Sequence, residues 1–425
     1  MTLEPVHIKE IHDMVERIDT CLKGDDLDDG TDNVSSILDM LKELNYNGKT
    51  VLRSIGPVKR GRVSIEKMIQ ADDPFDTSYS CDSGSTTAKT FDNGLYVDFC
   101  HCAMASTPTD LDIHSMRTIV AATYIDSKKI SVSTGDKWES FDSGTSRKKI
   151  INIQAGLLKK KANDMVHDIA LYLCESEHIL QMLERMEDDG FFIMDGPIYP
   201  KRLMYWMVVE SDDVKIRDDP HCKKILQNYI DIMDHHLKKQ KALVGFVKNP
   251  EDMQVMQTLK KQEIDIDLPW MLDAQFFKNA LFLEKAGVKR RDANKYITYT
   301  NWFMQPNQFY EKMLNTTYPL FEGIKHQFPA EDYSLTFFMV YVPKMNAIFK
   351  VEAPYGLVKN DEMRWQLTRK VLYDIALNGI PKTLSKADSV AKIQLSERKQ
   401  IINRFRNSRI DTSYNDIRWG ETDER

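Results

Sequence analysis

The stretch from Phe191 to Pro200 reads FFIMDGPIYP. Its first four residues are large and apolar, which predicts a buried strand, and Asp195 with the following Gly-Pro ends that strand. A second aspartate, Asp82, closes a short strand-like run in SYSCDSGSTTAK (78–89). We predict that these two carboxylates, each at the end of a strand, meet in the fold and hold a divalent metal ion.

The composition is ordinary for a globular protein. The chain has 425 residues, of which 42% are hydrophobic and 29% charged, and its net charge of −6 neither requires nor excludes a nucleic-acid partner. No apolar run reaches the roughly 20 residues that span a bilayer, and the N-terminus has no signal-peptide pattern. The six cysteines form no CxxC pair. We therefore expect a cytoplasmic protein with reduced thiols and no membrane association.

Changes of pattern divide the chain into five predicted segments. They are an N-terminal helical arm (1–75), the first part of an α/β core (76–250), a mostly helical insertion (251–330), the remainder of the core (331–405) and a C-terminal tail (406–425).

The order of elements within the core predicts its fold class. Three strand-like runs precede a long helical pattern, and a buried strand, further helices and another strand follow. The early runs are 94–105, 118–125 and 128–134, a loop covers 142–149, the helix covers about 150–187, and later strands are 191–195 and 242–250. This order matches a ribonuclease H-like α/β core, in which a mixed sheet flanked by helices carries acidic residues at strand ends.

Phosphodiester hydrolysis requires an acidic cluster of this kind. Two metal ions can activate water and stabilise charge on the reacting oxygens, and Mg²⁺ and Mn²⁺ prefer carboxylate ligands. The candidate metal ligands are Asp82, Glu175, Glu177, Asp195 and Asp388. Each also has a simpler interpretation, because strand-end aspartates often start turns and helical acids are usually solvated.

A set of short segments then follows in a characteristic order. The segments are DSGS (82–85), FDNGLYVDFCHCAMASTPTDLDIH, ALYLCESEHILQML, FFIMDGPIYPKRLMYW, ALVGFVKNP, LPWMLDAQFF, TYTNWF, FKVEAPYG and NGIPKTLSKADSVAKI. Together they resemble the motifs of the NurA nuclease family, in its euryarchaeal form, over about residues 78–400.

The resemblance implies a Mn²⁺-dependent DNase of ribonuclease H-like fold, active on single- and double-stranded DNA. It implies 5′-to-3′ exonuclease and single-strand endonuclease activity, a homodimer, and a hexameric HerA-type translocase as partner in DNA-end resection and repair. Carried over to this chain, Asp82 and Asp195 take the strand-end ligand positions. The helix glutamate falls on Glu177 or Glu175, with a slight preference for Glu177.

One departure concerns the end of this region. Family members place a tyrosine in Gly-Tyr-Pro and a histidine after Ala, whereas this chain has Gly379-Ile380-Pro381 and Asp388 after Ala387. The tyrosine role is unfilled, and an aspartate stands where the resemblance implies a histidine. An all-oxygen ligand set would accept Mg²⁺ at least as readily as Mn²⁺. The departures leave open a second function, a non-catalytic DNA clamp or motor adaptor.

Contacts to DNA phosphates are predicted at basic runs, although any single run can be only a solvated surface. The candidates are Lys59, Arg60, Arg62, Lys159, Lys160, Lys161, Lys289, Arg290 and Arg291, together with the run from Arg147 to Lys149. Lys248 differs, because it closes an apolar strand as the acids do, and we predict that it reaches the scissile phosphate. Its simpler interpretation is a snorkelling lysine.

Cys100-His101-Cys102 has the residue types of a zinc site. Successive residues of a strand point to opposite faces, so the two cysteines and the histidine cannot converge. Even with Cys81 the set falls short of a structural zinc site, and buried thiols are the better interpretation.

Overall fold

The computed structural model describes residues 3–22, 37–127, 132, 137–154, 156–157, 161–208, 215–262, 268–282, 288–306, 323–405 and 409. Its strands are β1 (Glu43–Tyr46), β2 (Lys49–Ser54), β3 (Arg60–Ser64), β4 (Ser78–Ser85), β5 (Lys89–Thr90), β6 (Leu95–Thr107), β7 (Thr118–Ile125), β8 (Glu139–Phe141), β9 (Ser146–Asn152), β10 (Phe191–Asp195), β11 (Ala242–Val247), β12 (Tyr296–Thr300), β13 (Phe303–Gln305), β14 (Leu335–Val342) and β15 (Ala347–Pro354).

The α-helices with both ends in the described residues follow the same chain order. They are α1 (Pro5–Leu22), α2 (Ile65–Ile69), α3 (Leu111–Ser115), α4 (Ala162–Met182), α5 (Lys201–Val208), α6 (Pro220–Lys239), α7 (Gln254–Lys261), α8 (Asp273–Leu281), α9 (Arg290–Ala293), α10 (Tyr355–Val358), α11 (Asp361–Asn378), α12 (Lys382–Ala391) and α13 (Leu395–Ile402).

Five strands form the centre of the sheet, in the order β7-β6-β4-β10-β11. Strand β6 is antiparallel to both of its neighbours, whereas β10 is parallel to β4 and to β11. Helix α4 connects the first three strands to β10, and α5 and α6 connect β10 to β11. This mixed, helix-flanked sheet confirms the predicted α/β fold class. The carboxyl ends of β4 and β10 lie at the same edge of the sheet because the two strands are parallel.

Helices cover both faces of this central sheet. On one face, Leu173 of α4 and Met233 of α6 pack in a buried cluster with Met194 of β10. On the other face, Val371 of α11 and Leu384 of α12 pack with residues of β10 and β11. Both layers bury apolar side chains, which fixes the helices that flank the acidic strand ends.

The sheet extends beyond β11 through residues from three distant parts of the chain. Strand β15 pairs with β11 and β14, and β13, β2 and β1 continue the sheet, while β12 joins β14 to β3. The segment 1–75 is therefore not only a helical arm, since β1 to β3 belong to the sheet. Their partners are mostly more than 200 residues away, so local sequence pattern does not reveal the pairing.

Two further boundaries differ from the sequence-based expectation. The long helix begins at Ala162 rather than near residue 150, and Ser146–Asn152, expected as loop and helix, forms β9 beside β7. Strand β9 is difficult to recognise from the sequence because it begins with the basic run SRKK, in which exposed and half-buried side chains alternate without an apolar pattern. Most of the predicted strand 128–134 and the tail 406–425 lie outside the described residues. No helix in the described part of the chain is long and apolar enough to cross a bilayer.

Candidate metal centre

Asp82 and Asp195 lie beside each other on neighbouring parallel strands. The register sets Met194 of β10 opposite Cys81 of β4, and the next residues on the two strands are Asp195 and Asp82. Asp195 ends β10 as predicted, but Asp82 does not end its strand, because β4 continues to Ser85 through its pairing with β6. Neighbouring strands are about 4.8 Å apart, and equivalent positions project to the same face. Burial, and after it the charge of Asp195, raises the pKa of Asp82 to about 6.

Glu175 approaches the pair from helix α4. The Ser83 hydroxyl donates a 2.7 Å hydrogen bond to Oε1 of Glu175, which ties the helix to strand β4. Burial, together with the charges of Asp82 and Asp195, raises the pKa of Glu175 to about 8. Carboxyl groups placed together in this way resist joint ionisation until a cation enters.

Glu177 has different surroundings, although it is only two residues further along α4. Its Oε2 lies 3.3 Å from Arg147, and Asn228 donates a 3.1 Å hydrogen bond to its Oε1. Two residues of an α-helix are separated by about 200° around its axis, so both glutamates cannot face the same site. The structure does not bring Glu177 to the acidic pair, which reverses the slight sequence-based preference for it over Glu175.

Asp388 reaches the group from the opposite face of the sheet. Its helix, α12, packs so closely on β4 that a Cβ on Gly84 would lie 1.9 Å from the carbonyl oxygen of Ala391. Glycine at this position therefore permits the approach. Asp388 is exposed, and its charge adds to the increase in the pKa of Asp82.

Lys248, just after β11, forms an ion pair with the site. Its Nζ lies 2.7 Å from Oδ2 of Asp195, and its positive charge opposes the increase in the pKa of Asp82. The lysine therefore partly compensates the acidic pair.

Four charged residues that sequence reasoning missed hold the segments carrying Asp195 and Lys248. They are Lys201, Asp252, Lys350 and Glu352. Lys201 contacts Asp252 at 3.0 Å and Glu352 at 2.8 Å. Lys350 contacts the same two acids at 2.7 and 2.9 Å. Glu352 also accepts a hydrogen bond from the backbone N–H of Ile198 at 3.2 Å. The sequence did contain a sign of this ion group. In AIFKVEAP (347–354), Lys350 and Glu352 project from the same face of an otherwise apolar strand.

The donors of the acidic group fit a hard divalent cation, since all are carboxylate oxygens. The described residues do not bring ligand oxygens from three of these acids within 4.8 Å of one another. Glu175 and Asp388 approach from opposite faces of the sheet, which keeps the group open.

The predicted basic residues are spread over several surfaces. Residues Lys59, Arg60 and Arg62 are exposed on and beside β3, and Lys289, Arg290 and Arg291 are exposed at α9. The pairing of β3 with β12 brings both sets to one ribbon. Four strand spacings separate this ribbon from β10, which is about 19 Å at 4.8 Å per spacing.

The other predicted basic residues either contact groups of the protein itself or lie outside the described residues. Lys161 pairs with Asp164 at 3.0 Å, and Arg147 is committed to Glu177 and to the ring of Trp138. Lys159 and Lys160 lie outside the described residues.

A comparison with protein-family models identifies the family of this chain. The NurA domain model matches residues 76–393, a span that includes every strand-end acid described above. The chain belongs to the NurA family. This membership confirms the family predicted from the motifs and, with it, the predicted enzyme class of nuclease.

Solved NurA structures resemble this NurA chain at low sequence identity. The NurA nuclease from Sulfolobus solfataricus is 11% identical, with 93% of this chain and 95% of that chain covered and a TM-score of 0.45. A NurA structure bound to dAMP and manganese is 11% identical over 93% and 98% of the two chains, with a TM-score of 0.47. A third, with manganese, is 10% identical over 92% and 98%, with a TM-score of 0.42. No curated protein matches the chain.

Proposed function

We propose that this NurA protein is a metal-dependent deoxyribonuclease whose ions are held by Asp82, Asp195 and Glu175, with Asp388 as a further ligand. The observation that carries the proposal is the electrostatic coupling of these carboxyls at one sheet edge, where the pKa of Asp82 rises to about 6 and that of Glu175 to about 8. Such a group gains most from a divalent cation.

Mn²⁺ is the proposed cofactor, with Mg²⁺ as an alternative. NurA structures have been solved with manganese, and the oxygen donors of this chain suit either ion. When bound, the ions supply an activated water and stabilise charge on the phosphate. Aspartate at position 388 keeps the ligand set free of nitrogen, which favours activity with Mg²⁺ as well.

Lys248 is proposed to exchange partners during the reaction. In the described state its ammonium neutralises Asp195 at 2.7 Å. If Asp195 serves as a metal ligand, the ammonium of Lys248 would no longer be needed to neutralise it and could bind a DNA phosphate. Lys248 thus neutralises the half-buried carboxylate of Asp195 in the metal-free protein. In the metal-bound protein it would add positive charge near the phosphate.

The ribbon formed by β3 and β12 is the proposed DNA-binding surface remote from the acids. It presents basic residues from two distant segments, including Arg62, whose guanidinium lies 4.7 Å from the ring centre of Tyr296. Because neutralising phosphates releases counterions, affinity for single- and double-stranded DNA should fall steeply with salt.

Family membership supports the finer proposals of exonuclease action from 5′ ends and endonuclease action on single strands. It also supports a homodimer, a hexameric HerA-type translocase as partner, and a cytoplasmic location. A non-catalytic adaptor remains the second function. The acidic group weighs against it, because clustered carboxyls with raised pKa values destabilise a protein that binds no cation there.

End-labelled DNA incubated with Mn²⁺, Mg²⁺ or chelator tests the proposal. We expect cleavage that requires metal and falls at least about 100-fold in Asp82→Ala. Asp126→Ala is the control, since Asp126 is an exposed aspartate directly after strand β7 and lies outside the acidic group. Cleavage that survives Asp82→Ala would contradict the proposed site, and binding of DNA without cleavage would favour the adaptor.

A further inference from the structure

A second cluster of metal-ligating side chains lies on the α4 face of the sheet. Asp98 and Cys100 of β6 and His167 of α4 each offer a ligand atom within 4.8 Å of the other two, which no other such trio in the described residues does. Nδ1 of His167 is 2.7 Å from Oδ2 of Asp98, and Sγ of Cys100 is 3.9 Å from the same oxygen. Asp98 and Cys100 are fully buried.

Neighbouring hydroxyl groups complete the surroundings of this cluster. Oγ of Ser85 lies 3.1 Å from Oδ2 of Asp98 and 3.3 Å from Nδ1 of His167. Thr86 donates a 2.9 Å hydrogen bond to the other carboxylate oxygen and so orients Asp98. Thr87 has a φ of +58° and donates its backbone N–H to Oγ of Ser85 at 2.8 Å. A β-branched residue in the left-handed region is strained, and such strain marks sites with a specific task.

The spacing of these four atoms agrees with a tetrahedral zinc site. Metal–ligand lengths of about 2.0 Å for N and O and about 2.3 Å for S place tetrahedral ligand atoms about 3.3–3.5 Å apart. The distances from Oδ2 of Asp98 to its neighbours, 2.7, 3.1 and 3.9 Å, lie on both sides of that range. Shifts of well under 1 Å would therefore bring each of these three distances into the range of a zinc site.

The charge balance of the buried site favours a metal over hydrogen bonds alone. Without a metal, the buried carboxylate is balanced by His167, and the Cys100 thiol has a long contact to Asp98 at 3.9 Å and a hydrogen bond with Ser85. One Zn²⁺ with a carboxylate, a thiolate and a neutral imidazole has no net charge, which minimises the penalty of burying ions. A donor set that includes a thiolate and an imidazole favours zinc, in contrast to the all-oxygen group of the nuclease site.

We propose that Asp98, Cys100 and His167, with Ser85 as the fourth ligand, bind a structural Zn²⁺ that is separate from the nuclease metals. Binding releases the thiol proton of Cys100 and the Nδ1 proton of His167 to solvent, because ligands bind in deprotonated form. The ion would join β6 to β4, which carries Asp82 and Ser83, and to α4, which carries Glu175. It would therefore stabilise the scaffold of the acidic group without contacting DNA.

Metal analysis of an Asp82→Asn/Asp195→Asn variant tests this site with the nuclease centre disabled. We expect one Zn²⁺ per chain after stripping and reconstitution. We expect affinity to fall about 100-fold or more in His167→Ala and Cys100→Ala. With Co²⁺ in place of Zn²⁺, the protein should show a thiolate-to-cobalt charge-transfer band that Cys100→Ala removes.

Cys222→Ala is the matched control, since Cys222 is also a buried free thiol but belongs to α6. Its zinc content and cobalt band should equal those of the parent. A folded parent protein that binds no zinc, or a cobalt band that survives Cys100→Ala, would overturn the proposal. If Cys100→Ala does not fold, the titration of the parent and of His167→Ala decides, because His167 is partly exposed. None of these readouts depends on nuclease activity, so failure here and failure of the proposed function are distinguishable.

Discussion

Glu175 and Glu177 lie two residues apart on helix α4, but Glu175 bonds to a neutral hydroxyl and Glu177 to a positively charged guanidinium. Glu175 accepts a hydrogen bond from Ser83 beside two aspartates, whereas Glu177 binds Arg147 and Asn228. Among the described residues, no cationic side chain pairs with the carboxylate of Glu175, whereas the carboxylate of Glu177 already pairs with Arg147. This difference assigns a proposed functional role to one glutamate and a structural role to the other.

Substituting these two residues separately should give opposite phenotypes. Glu175→Gln keeps an acceptor for Ser83 but removes the charge, so metal-dependent cleavage should fall about 100-fold or more with little loss of stability. Glu177→Gln should retain activity and lower the free energy of unfolding by about 1–3 kcal/mol, because Arg147 loses its anionic partner. Nuclease assays and urea denaturation of both variants check this, and inactivity of Glu177→Gln in a folded protein would contradict it.

Neutralising an acid of the metal centre should stabilise the metal-free protein at alkaline pH. The pKa values of Asp82 and Glu175 are raised to about 6 and about 8, so the folded state holds protons that the unfolded state has lost. Their contribution to stability is complete below about pH 4 and is lost as pH rises through about 8. Asp82→Asn should therefore raise the Tm of the apoprotein at pH 8 by several degrees.

The same variant should lose the stabilisation that Mn²⁺ gives to the parent. Ligand binding to the folded state raises Tm, and the variant lacks a ligand. Thermal scans of both proteins with chelator and with Mn²⁺ separate the two effects. An apoprotein variant less stable than the parent at pH 8 would be inconsistent with the raised pKa values.

Two buried histidines should make the protein sensitive to acid. Burial lowers the pKa of His178 and of His236 to about 3, and Nε2 of each finds no hydrogen-bond partner among the residues that the structure describes. Between about pH 6.5 and pH 3 the unfolded state binds protons that the folded state cannot, so stability falls as pH falls. Urea unfolding from pH 7 to pH 4 should show this slope.

His236→Phe provides the corresponding control. The ring of His236 stacks on Phe192 with centroids 5.8 Å apart, and phenylalanine can keep that contact without titrating. The variant should have a shallower dependence of unfolding free energy on pH than the parent, whatever its absolute stability. An unchanged slope would remove His236 from the explanation.

Gly84→Ala should reduce activity by displacing helix α12. The added Cβ would lie 1.9 Å from the carbonyl oxygen of Ala391, so the helix that carries Asp388 must move. We expect a fall in cleavage rate similar to that of Asp388→Asn, and little further loss when the two changes are combined, because both act through Asp388. Full additivity in the double variant would argue against this coupling.

Removing the buried lysine of β15 should unfold or misplace the segment that follows Asp195. Lys350 is buried with Asp252 and Glu352, and loss of one partner from a buried ion group costs about 3–5 kcal/mol. Lys350→Met should therefore lower the free energy of unfolding by that order. The exposed pair of Lys295 and Asp292 offers a control, since solvent screens that pair and Lys295→Met should change stability far less than Lys350→Met does. Equal effects of the two substitutions would contradict the proposed role of the buried group.

Several features of the fold followed from local sequence pattern. The prediction of the strand at Phe191 to Asp195 and of the strand at 118–125 is confirmed by β10 and β7. Hydrophobic runs of this kind are buried wherever they occur, so their pattern is informative by itself. The basic run over β9 and the strands of residues 43–64 were not recognised, because their stability comes from distant partners.

The sequence by itself determined that Asp195 ends a buried strand and that the chain carries NurA motifs, whereas Asp82, expected to end its strand, lies within β4. Only the tertiary structure decided which acids come together. The parallel register of β4 and β10 aligns Asp82 with Asp195, the angle around α4 selects Glu175 over Glu177, and the packing of α12 on Gly84 brings Asp388 near. Strand ends are set by residues next to them, whereas register and helix rotation are set by long-range packing.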